Sequence, residues 1–131
     1  MEKQKNQTIE VCIAGFGFGK SVHFPALKEN NILNTNGIWH PSSKELEEFC
    51  VNNKINYYRN WEDVLNNKDV QGIIIATPPA PRFKLAIEAL SAGKNLLLEK
   101  PVALNYKQIC EINRLAKSKR LSVAVDFEYR A

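Results

Sequence analysis

The chain has 131 residues, a net charge of +4 at neutral pH and 44% hydrophobic residues, which fits one globular domain and excludes a disordered segment. No apolar run approaches the ~18 residues that a membrane span requires, and the N-terminal residues lack the apolar core of a secretory signal. The three cysteines are widely spaced and form no CxxC pair, so we expect no metal site and a cytoplasmic protein. No basic run exceeds two residues, which argues against nucleic acid or a membrane as a partner.

The first predicted element is a strand over residues 8–14, which is β-branched and apolar throughout. Gly15-Phe16-Gly17-Phe18-Gly19 follows this strand directly. A helix is predicted over residues 20–30, with Val22, Ala26 and Leu27 together on its apolar side. Pro25 lies inside this pattern, so we expect the helix to be kinked or irregular there.

The rest of the chain continues to alternate strands with helices. Five further short apolar runs predict strands over residues 37–40, 55–58, 70–76, 95–98 and 121–127. The helices between them have predicted caps at Ser42 or Ser43, at Asn60 and at Asn105. The three prolines within residues 77–81 predict a turn, and Gly93 is expected to end the helix that follows. Continuous apolar strands in strict βα alternation predict an α/β fold: a doubly wound parallel sheet in the order 3-2-1-4-5-6, with right-handed crossovers and helices on both faces.

The glycine-rich junction after the first strand is the most informative local motif. Gly15 permits a tight turn, and Gly17 lets the backbone approach a pyrophosphate at the N-terminus of the next helix. Lys20 stands where the third glycine of GxGxxG is expected, while a glycine occurs at Gly19 instead. The alternative is a plain glycine-rich turn without a ligand. The position of the motif, between the first strand and a helix, favours dinucleotide binding.

The end of the second strand indicates which dinucleotide would bind. An NAD site usually has an acidic residue there, but this sequence has His40, Ser42, Ser43 and Lys44, with no acid before Glu45. Hydroxyls, a helix N-terminus and a lysine suit the 2′-phosphate of NADP better than a bare diol. The serines could equally serve as helix caps, and the two roles are compatible. We favour NADP over NAD as the cofactor.

Glu99-Lys100-Pro101 ends the fifth predicted strand, on the edge of the sheet where ligands bind in open α/β folds. A lysine at this position can hold a substrate oxygen and transfer a proton. A Glu-Lys-Pro turn is more often an exposed turn without a functional role, and only its position at the end of the strand favours a catalytic role for Lys100. His23 is interpreted as a packed histidine, and Trp39 and Trp61 as core or lid aromatics.

Three ordered motifs resemble the N-terminal domain of the Gfo/Idh/MocA oxidoreductases, named for glucose–fructose oxidoreductase and inositol 2-dehydrogenase. IAGFGFGKSVHFPAL is similar to the opening strand, glycine turn and helix of that family. The stretch of residues 70–104 resembles its central signature, in which an ATP-P turn precedes AGK and then EKP. VAVDFEYR resembles the strand that leads into the family's second domain. The resemblance implies a Rossmann-type fold and an NAD(P)-dependent enzyme that transfers hydride between nicotinamide and a hydroxyl-bearing carbon, often of a sugar or polyol.

The resemblance also implies roles for particular residues. The backbone of residues 16–20 would hold the pyrophosphate, Thr77 and Pro78 would lie along the cofactor, and Glu99 would lie near the nicotinamide ribose. Lys100 would orient the substrate and relay its proton, with Pro101 in a cis bond. The residues expected to contact the cofactor are Gly15, Phe16, Gly17, Phe18, Gly19, Lys20, His40, Ser42, Ser43, Lys44, Ala76, Thr77, Pro78, Glu99 and Lys100.

The sequence departs from the family pattern in ways that bear on its function. Arg82 stands where many members have histidine, which leaves the contact on the nicotinamide side open. Residues 1–131 are expected to be the dinucleotide-binding domain alone, either excised or naturally separate. The second domain, which would supply the substrate pocket and the homo-oligomer interface, is expected to be absent from this sequence. The alternative function is a non-catalytic dinucleotide-binding module, either a sensor or a subunit completed by another chain.

Overall fold

The structure is a computed structural model that describes residues 7–127. Its centre is a six-stranded parallel sheet in the order β3-β2-β1-β4-β5-β6. The strands are β1 (Ile9–Ala14), β2 (Leu33–Trp39), β3 (Asn56–Tyr58), β4 (Gly72–Ile75), β5 (Asn95–Glu99) and β6 (Val123–Asp126). The predicted strand order and the α/β class are therefore confirmed, while the handedness of the crossovers stays a prediction.

Helices connect the strands along the chain. They are a π-helical turn (Gly19–His23), α1 (Phe24–Lys28), α2 (Lys44–Asn52), α3 (Trp61–Asn66), α4 (Pro79–Ser91) and α5 (Tyr106–Lys119). Within residues 7–127, no helix is long and apolar enough to cross a membrane. The leader over residues 1–6 and the last residues of the VAVDFEYR motif lie outside the described residues.

Helices cover both faces of the sheet. Consecutive strand residues point to opposite faces, so each central strand packs against helices on both sides. Cys12 and Ala14 pack with α4 and α5 on one face, whereas Val11 and Ile13 pack with α1 and α2 on the other. A strand buried on both sides has no polar alternation, which explains why β1 and β4 read as continuous apolar runs.

The helix after the glycine turn is irregular, as Pro25 predicted, but the irregularity precedes the proline. A π-helical turn comes first, and Pro25 then stands in the first turn of α1, where a missing N–H costs no hydrogen bond. A π turn takes more residues than an α turn and rotates the following side chains. Consequently His23, Phe24 and Leu27 are buried, and the prediction that Val22 faces inward is wrong, since that side chain is 38% exposed.

The turn predicted over residues 77–81 is shorter than expected, because α4 already begins at Pro79. Proline is tolerated in the first helical turn, where backbone N–H groups have no intrahelical acceptor. Two predicted caps are confirmed: the Ser43 hydroxyl accepts from the Leu46 N–H, and the Asn105 side chain accepts from the Gln108 N–H. Asn60 precedes α3 as predicted, but its side chain makes no cap hydrogen bond.

Candidate functional site

A cavity of about 750 Å³ opens at the carboxyl edge of the sheet. The strand order reverses between β1 and β4, and ligands of doubly wound sheets bind at such a switch point. The glycine turn, the end of β2, the β4–α4 turn and α4 form the walls. The lining residues are Gly15, Phe16, Gly17, Phe18, Trp39, His40, Pro41, Trp61, Ala76, Thr77, Pro78, Pro81, Lys84, Leu85 and Glu88.

The three glycines of the turn have three different structural requirements. Gly15 has a φ of +110°, and a Cβ there would lie 2.9 Å from the backbone of Ala76. A Cβ on Gly19 would lie 2.7 Å from Cγ2 of Ile13, whereas a Cβ on Gly17 would meet nothing within 4 Å. Gly19 therefore provides the close helix–strand contact that the third glycine of the fingerprint usually makes. Gly17 borders open space on the cavity side, which fits a bound pyrophosphate.

The predicted cofactor contacts divide into two groups by their position. Those that line the cavity are Gly15, Phe16, Gly17, Phe18, His40, Ala76, Thr77 and Pro78. Those that do not line it are Gly19, Lys20, Ser42, Ser43, Lys44, Glu99 and Lys100. Of the second group, Lys20 forms an ion pair with Glu45 at 2.8 Å, and Ser43 caps α2. The cofactor roles of both groups stay predictions.

His40 presents a defined hydrogen-bonding pattern at the end of β2. Its Nδ1 accepts from the Ser42 backbone N–H at 3.2 Å, so a neutral imidazole carries its proton on Nε2. The cavity also contains Lys84 on α4, a cation that the sequence analysis did not single out. Only the helical spacing of Lys84 after the ATP-P turn could have indicated its position.

Two tryptophans form one wall of the cavity. Trp39 ends β2 and Trp61 begins α3, and their ring centroids lie 4.9 Å apart at an interplanar angle of 54°. Neither indole N–H has a hydrogen-bond partner within the described residues, and the same holds for the buried Thr77 hydroxyl. Trp39 and Trp61 were interpreted as core or lid aromatics, and they both pack against the core and border the cavity. The aromatic wall fits a ligand that carries a flat ring.

A buried acid–base cluster lies at the carboxyl ends of β5 and β6. Nε2 of His23 and Oε1 of Glu99 are 2.5 Å apart, and Asp126 places a carboxylate oxygen within 4.8 Å of both groups. Burial raises the pKa of Glu99 and the Asp126 carboxylate adds to the rise, while the His23 hydrogen bond opposes it. These three side chains could hold a cation, but the His23–Glu99 pair is already satisfied by its own hydrogen bond. The packed interpretation of His23 fits this arrangement.

Lys100 follows Glu99 at the end of β5, and its side chain is exposed. The Lys100–Pro101 peptide bond is cis, as the resemblance implied. Arg82 is buried behind this turn, and its guanidinium donates to the backbone carbonyls of Thr77, Glu99 and Pro101. Burial lowers the pKa of Arg82, with the nearby Glu99 acting in the opposite direction. These backbone contacts could not be predicted from the sequence, because they depend on how two turns meet in space.

The fold and the site together define a dinucleotide-binding Rossmann domain. The family model of the Gfo/Idh/MocA oxidoreductases, described as an oxidoreductase family with an NAD-binding Rossmann fold, matches residues 9–127. The chain therefore belongs to the Gfo/Idh/MocA oxidoreductase family and is its NAD-binding domain. The resemblance stated from the sequence motifs is confirmed.

Individual relatives agree with this assignment. The chain is 36% identical over 127 residues to an oxidoreductase of Synechocystis sp., covering 96% of this chain and 34% of that protein. Its structure is similar to the crystal structure of the probable oxidoreductase yhhX, with a TM-score of 0.83, 31% identity and coverage of 90% and 35% of the two chains. An NAD-binding protein from Listeria innocua matches with a TM-score of 0.84 and 28% identity over 91% and 35%. The chain thus spans about a third of the length of these relatives.

Proposed function

We propose that the chain is the cofactor half of an NAD(P)-dependent oxidoreductase that transfers hydride between nicotinamide and a hydroxyl-bearing carbon of a small sugar, polyol or related molecule. The observation that carries this proposal is the position of two motifs at one sheet edge. The open space at Gly17 fits a pyrophosphate, and Lys100 follows β5 two strands away from β1 along the same carboxyl edge. A pure binding module would need the first motif but not the second.

The mechanism assigns proton transfer to the chain and hydride transfer to the cofactor. When bound, a nicotinamide cofactor would supply the hydride chemistry at the alcohol or carbonyl carbon. In the oxidising direction, the neutral amine form of Lys100 would accept the hydroxyl proton at Nζ, so that the O–H bond breaks and an N–H bond forms while the C=O double bond develops. Lys100 is an exposed residue at the carboxyl end of β5, and we expect a substrate domain to approach the chain there. We expect that domain to supply the rest of the substrate pocket and a homo-oligomer interface.

NADP is the cofactor that we favour. His40 can donate from Nε2, and no acidic residue follows β2 before Glu45. The cavity lining also contains Lys84, which forms an ion pair with Glu88 of the same lining at 3.8 Å. Glu45 itself is paired with Lys20 at 2.8 Å, so its negative charge is partly compensated. A 2′-phosphate gains from cationic and hydroxyl donors, whereas a 2′-hydroxyl usually requires an acceptor carboxylate.

Two measurements test the proposal in sequence. Calorimetric titration of the chain with NADPH and NADH should show saturable binding with NADPH favoured. The longer protein that carries the second domain should then reduce NADP⁺ in the presence of at least one member of a panel of polyols, sugars and hydroxy acids. Absence of dinucleotide binding would contradict the proposal outright. Tight binding without turnover of any panel member would favour the non-catalytic module instead.

A further inference from the structure

Arg82 is one of the most deeply buried charged side chains in the described part of the chain, with 3% of its surface exposed. It lies in the first turn of α4 and does not line the cavity, and its guanidinium reaches both the Thr77 backbone and the turn after β5. Nη2 donates to the Thr77 carbonyl, and Nη1 donates to the Glu99 carbonyl at 2.7 Å and to the Pro101 carbonyl. These hydrogen bonds go to backbone carbonyls, Nε has no hydrogen-bond partner within residues 7–127, and the charge is compensated by carbonyl dipoles together with the nearby Glu99 carboxylate.

The three carbonyls belong to two turns with different expected tasks. Thr77 is in the β4–α4 turn that lines the cavity, whereas Glu99 and Pro101 flank Lys100 in the turn after β5. One planar side chain thus joins the backbone on both sides of Lys100 to the wall of the cofactor cavity. The side chain of Glu99 is occupied separately by its hydrogen bond to His23.

We infer that Arg82 is a positioning residue that fixes Lys100 relative to the cofactor bound against Thr77. The inference rests on the proposed function, because only a hydride-transferring enzyme needs Lys100 at a fixed distance from the cofactor. The hydrogen bonds by which Arg82 joins the two turns do not depend on that function. Arginine suits the task because its rigid fork presents several donors in fixed directions. The ammonium of lysine is a point donor on a flexible stem, and it cannot reproduce the geometry of contacts from Nη1 and Nη2.

The first experiment measures whether Arg82 holds the two turns together. Hydrogen exchange followed by mass spectrometry should compare wild type with Arg82→Met, Arg82→Lys and the exposed control Arg114→Met. In Arg82→Met, amides around residues 76–78 and 99–104 should exchange at least about tenfold faster, while those of β1 stay unchanged. Arg82→Lys should give a smaller acceleration in the same segments, and Arg114→Met should give none.

The second experiment measures where Lys100 lies relative to the cofactor. Acetic anhydride should modify Lys100 at least about fivefold more slowly when saturating NADPH is bound to wild type, because a bound ligand shields neighbouring groups. In Arg82→Met this protection should fall below about twofold at full NADPH occupancy. Lys28 and Lys119 provide reference amines on the same chain. A residue that only stabilised the fold would leave the protection of Lys100 unchanged.

The outcomes separate this inference from the proposed function. If wild type binds neither NADPH nor NADH, the proposed function fails, and hydrogen exchange alone shows whether Arg82 joins the two turns. If wild type binds NADPH but Lys100 is equally protected in wild type and Arg82→Met, or is not protected in either, the positioning role is overturned. Loss of folding in both Arg82 variants would likewise overturn it, because Arg82 would then be required for stability alone.

Discussion

Gly15 and Gly17 are two residues apart, yet they differ in what a side chain would meet. At Gly15 a Cβ would contact the Ala76 backbone at 2.9 Å, and the φ of +110° is rarely adopted by L-residues. At Gly17 a Cβ would enter the cavity space without touching the protein. A glycine that the fold requires and a glycine that a ligand requires are therefore distinguishable by experiment.

We predict that Gly17→Val abolishes binding of both NADPH and NADH, because its side chain occupies the pyrophosphate space. The free energy of unfolding should change by less than about 1 kcal/mol, since nothing is displaced in the unliganded chain. Gly15→Ala should instead destabilise the chain by ~1–3 kcal/mol through backbone strain. Urea unfolding and calorimetric titration measure the two effects. Normal dinucleotide binding by Gly17→Val would refute the assigned pyrophosphate site.

Glu99 leads to a prediction about pH. Its raised pKa means that the folded chain retains a proton at pH values where the unfolded chain has lost it. Stability should therefore fall as the pH rises from about 4.5, the ordinary value, through the raised value in the folded state. Asp126→Asn removes one cause of the rise, so the fall should become smaller but should not disappear, because burial is the larger cause.

The measurement is urea unfolding between pH 4 and pH 8, with Asp69→Asn as the matched control. Asp69 is exposed on the loop before β4 and does not belong to the acid–base cluster. The control should have the same pH dependence as wild type. Identical slopes in wild type and Asp126→Asn would show that Asp126 does not influence the Glu99 proton.

At the scale of elements, the two serines at the N-terminus of α2 are predicted to have different roles, helix capping for Ser43 and cofactor binding for Ser42. The Ser43 hydroxyl accepts the Leu46 N–H at 3.0 Å, whereas the exposed Ser42 donates its backbone N–H to His40. Ser43→Ala should cost about 1 kcal/mol of stability by removing the cap. Ser42→Ala should leave stability unchanged and lower NADPH affinity by roughly three- to tenfold, the value of one hydrogen bond, with NADH affinity unaffected.

The Ser42→Ala and Ser43→Ala variants are to be compared with the preference of wild type for NADPH over NADH. We expect NADPH to bind roughly tenfold more tightly than NADH, which corresponds to ~1.4 kcal/mol. Calorimetric titration of both variants with both cofactors measures the pattern. Equal affinities in wild type, or a preference for NADH, would mean that both serines act only at the helix terminus.

The elements that could be predicted from the sequence are those in which the order of apolar and polar residues reflects which side chains are buried. Apolar runs were enough to predict the strand order, and cap residues were enough to predict where α2 and α5 begin. The end of α4 was predicted from Gly93, which has a positive φ in the structure. The first half of β2 was missed because Asn34 and Asn36 have low strand propensity. Pairing with β1, from Ile9 opposite Leu33 onwards, nevertheless holds this segment in the sheet.

Parts of the site could not be predicted because they depend on contacts between distant segments. The glycine turn and the lysine after β5 were visible as local motifs. The contacts of Arg82 with the Glu99 and Pro101 carbonyls, the proximity of His23 to Asp126 and the Trp39–Trp61 wall join residues 17 or more positions apart. The π-helical turn before α1 also lacked a local signal, and it reversed the predicted orientation of Val22.

At the scale of the whole molecule, the chain corresponds to about a third of its relatives. Residues 9–127 match the NAD-binding domain of the family, and the cavity at the carboxyl edge of the sheet is lined by residues of this chain. In the proposed function the substrate lies beside Lys100, which is exposed and is not one of the residues that line the cavity. We therefore expect cofactor binding to be measurable on the chain and turnover only on the longer protein.

The most direct test of the account is turnover of the longer protein with alanine in place of Lys100. Lys100→Ala should lower kcat by at least about a hundredfold, because removing a proton-transferring or orienting group typically costs 10²–10⁴-fold. NADPH affinity should change little, since the pyrophosphate contacts lie at the glycine turn. Lys100→Arg should restore little activity, because a guanidinium does not release its proton. Wild-type turnover by Lys100→Ala would contradict the assignment of Lys100 as the catalytic residue.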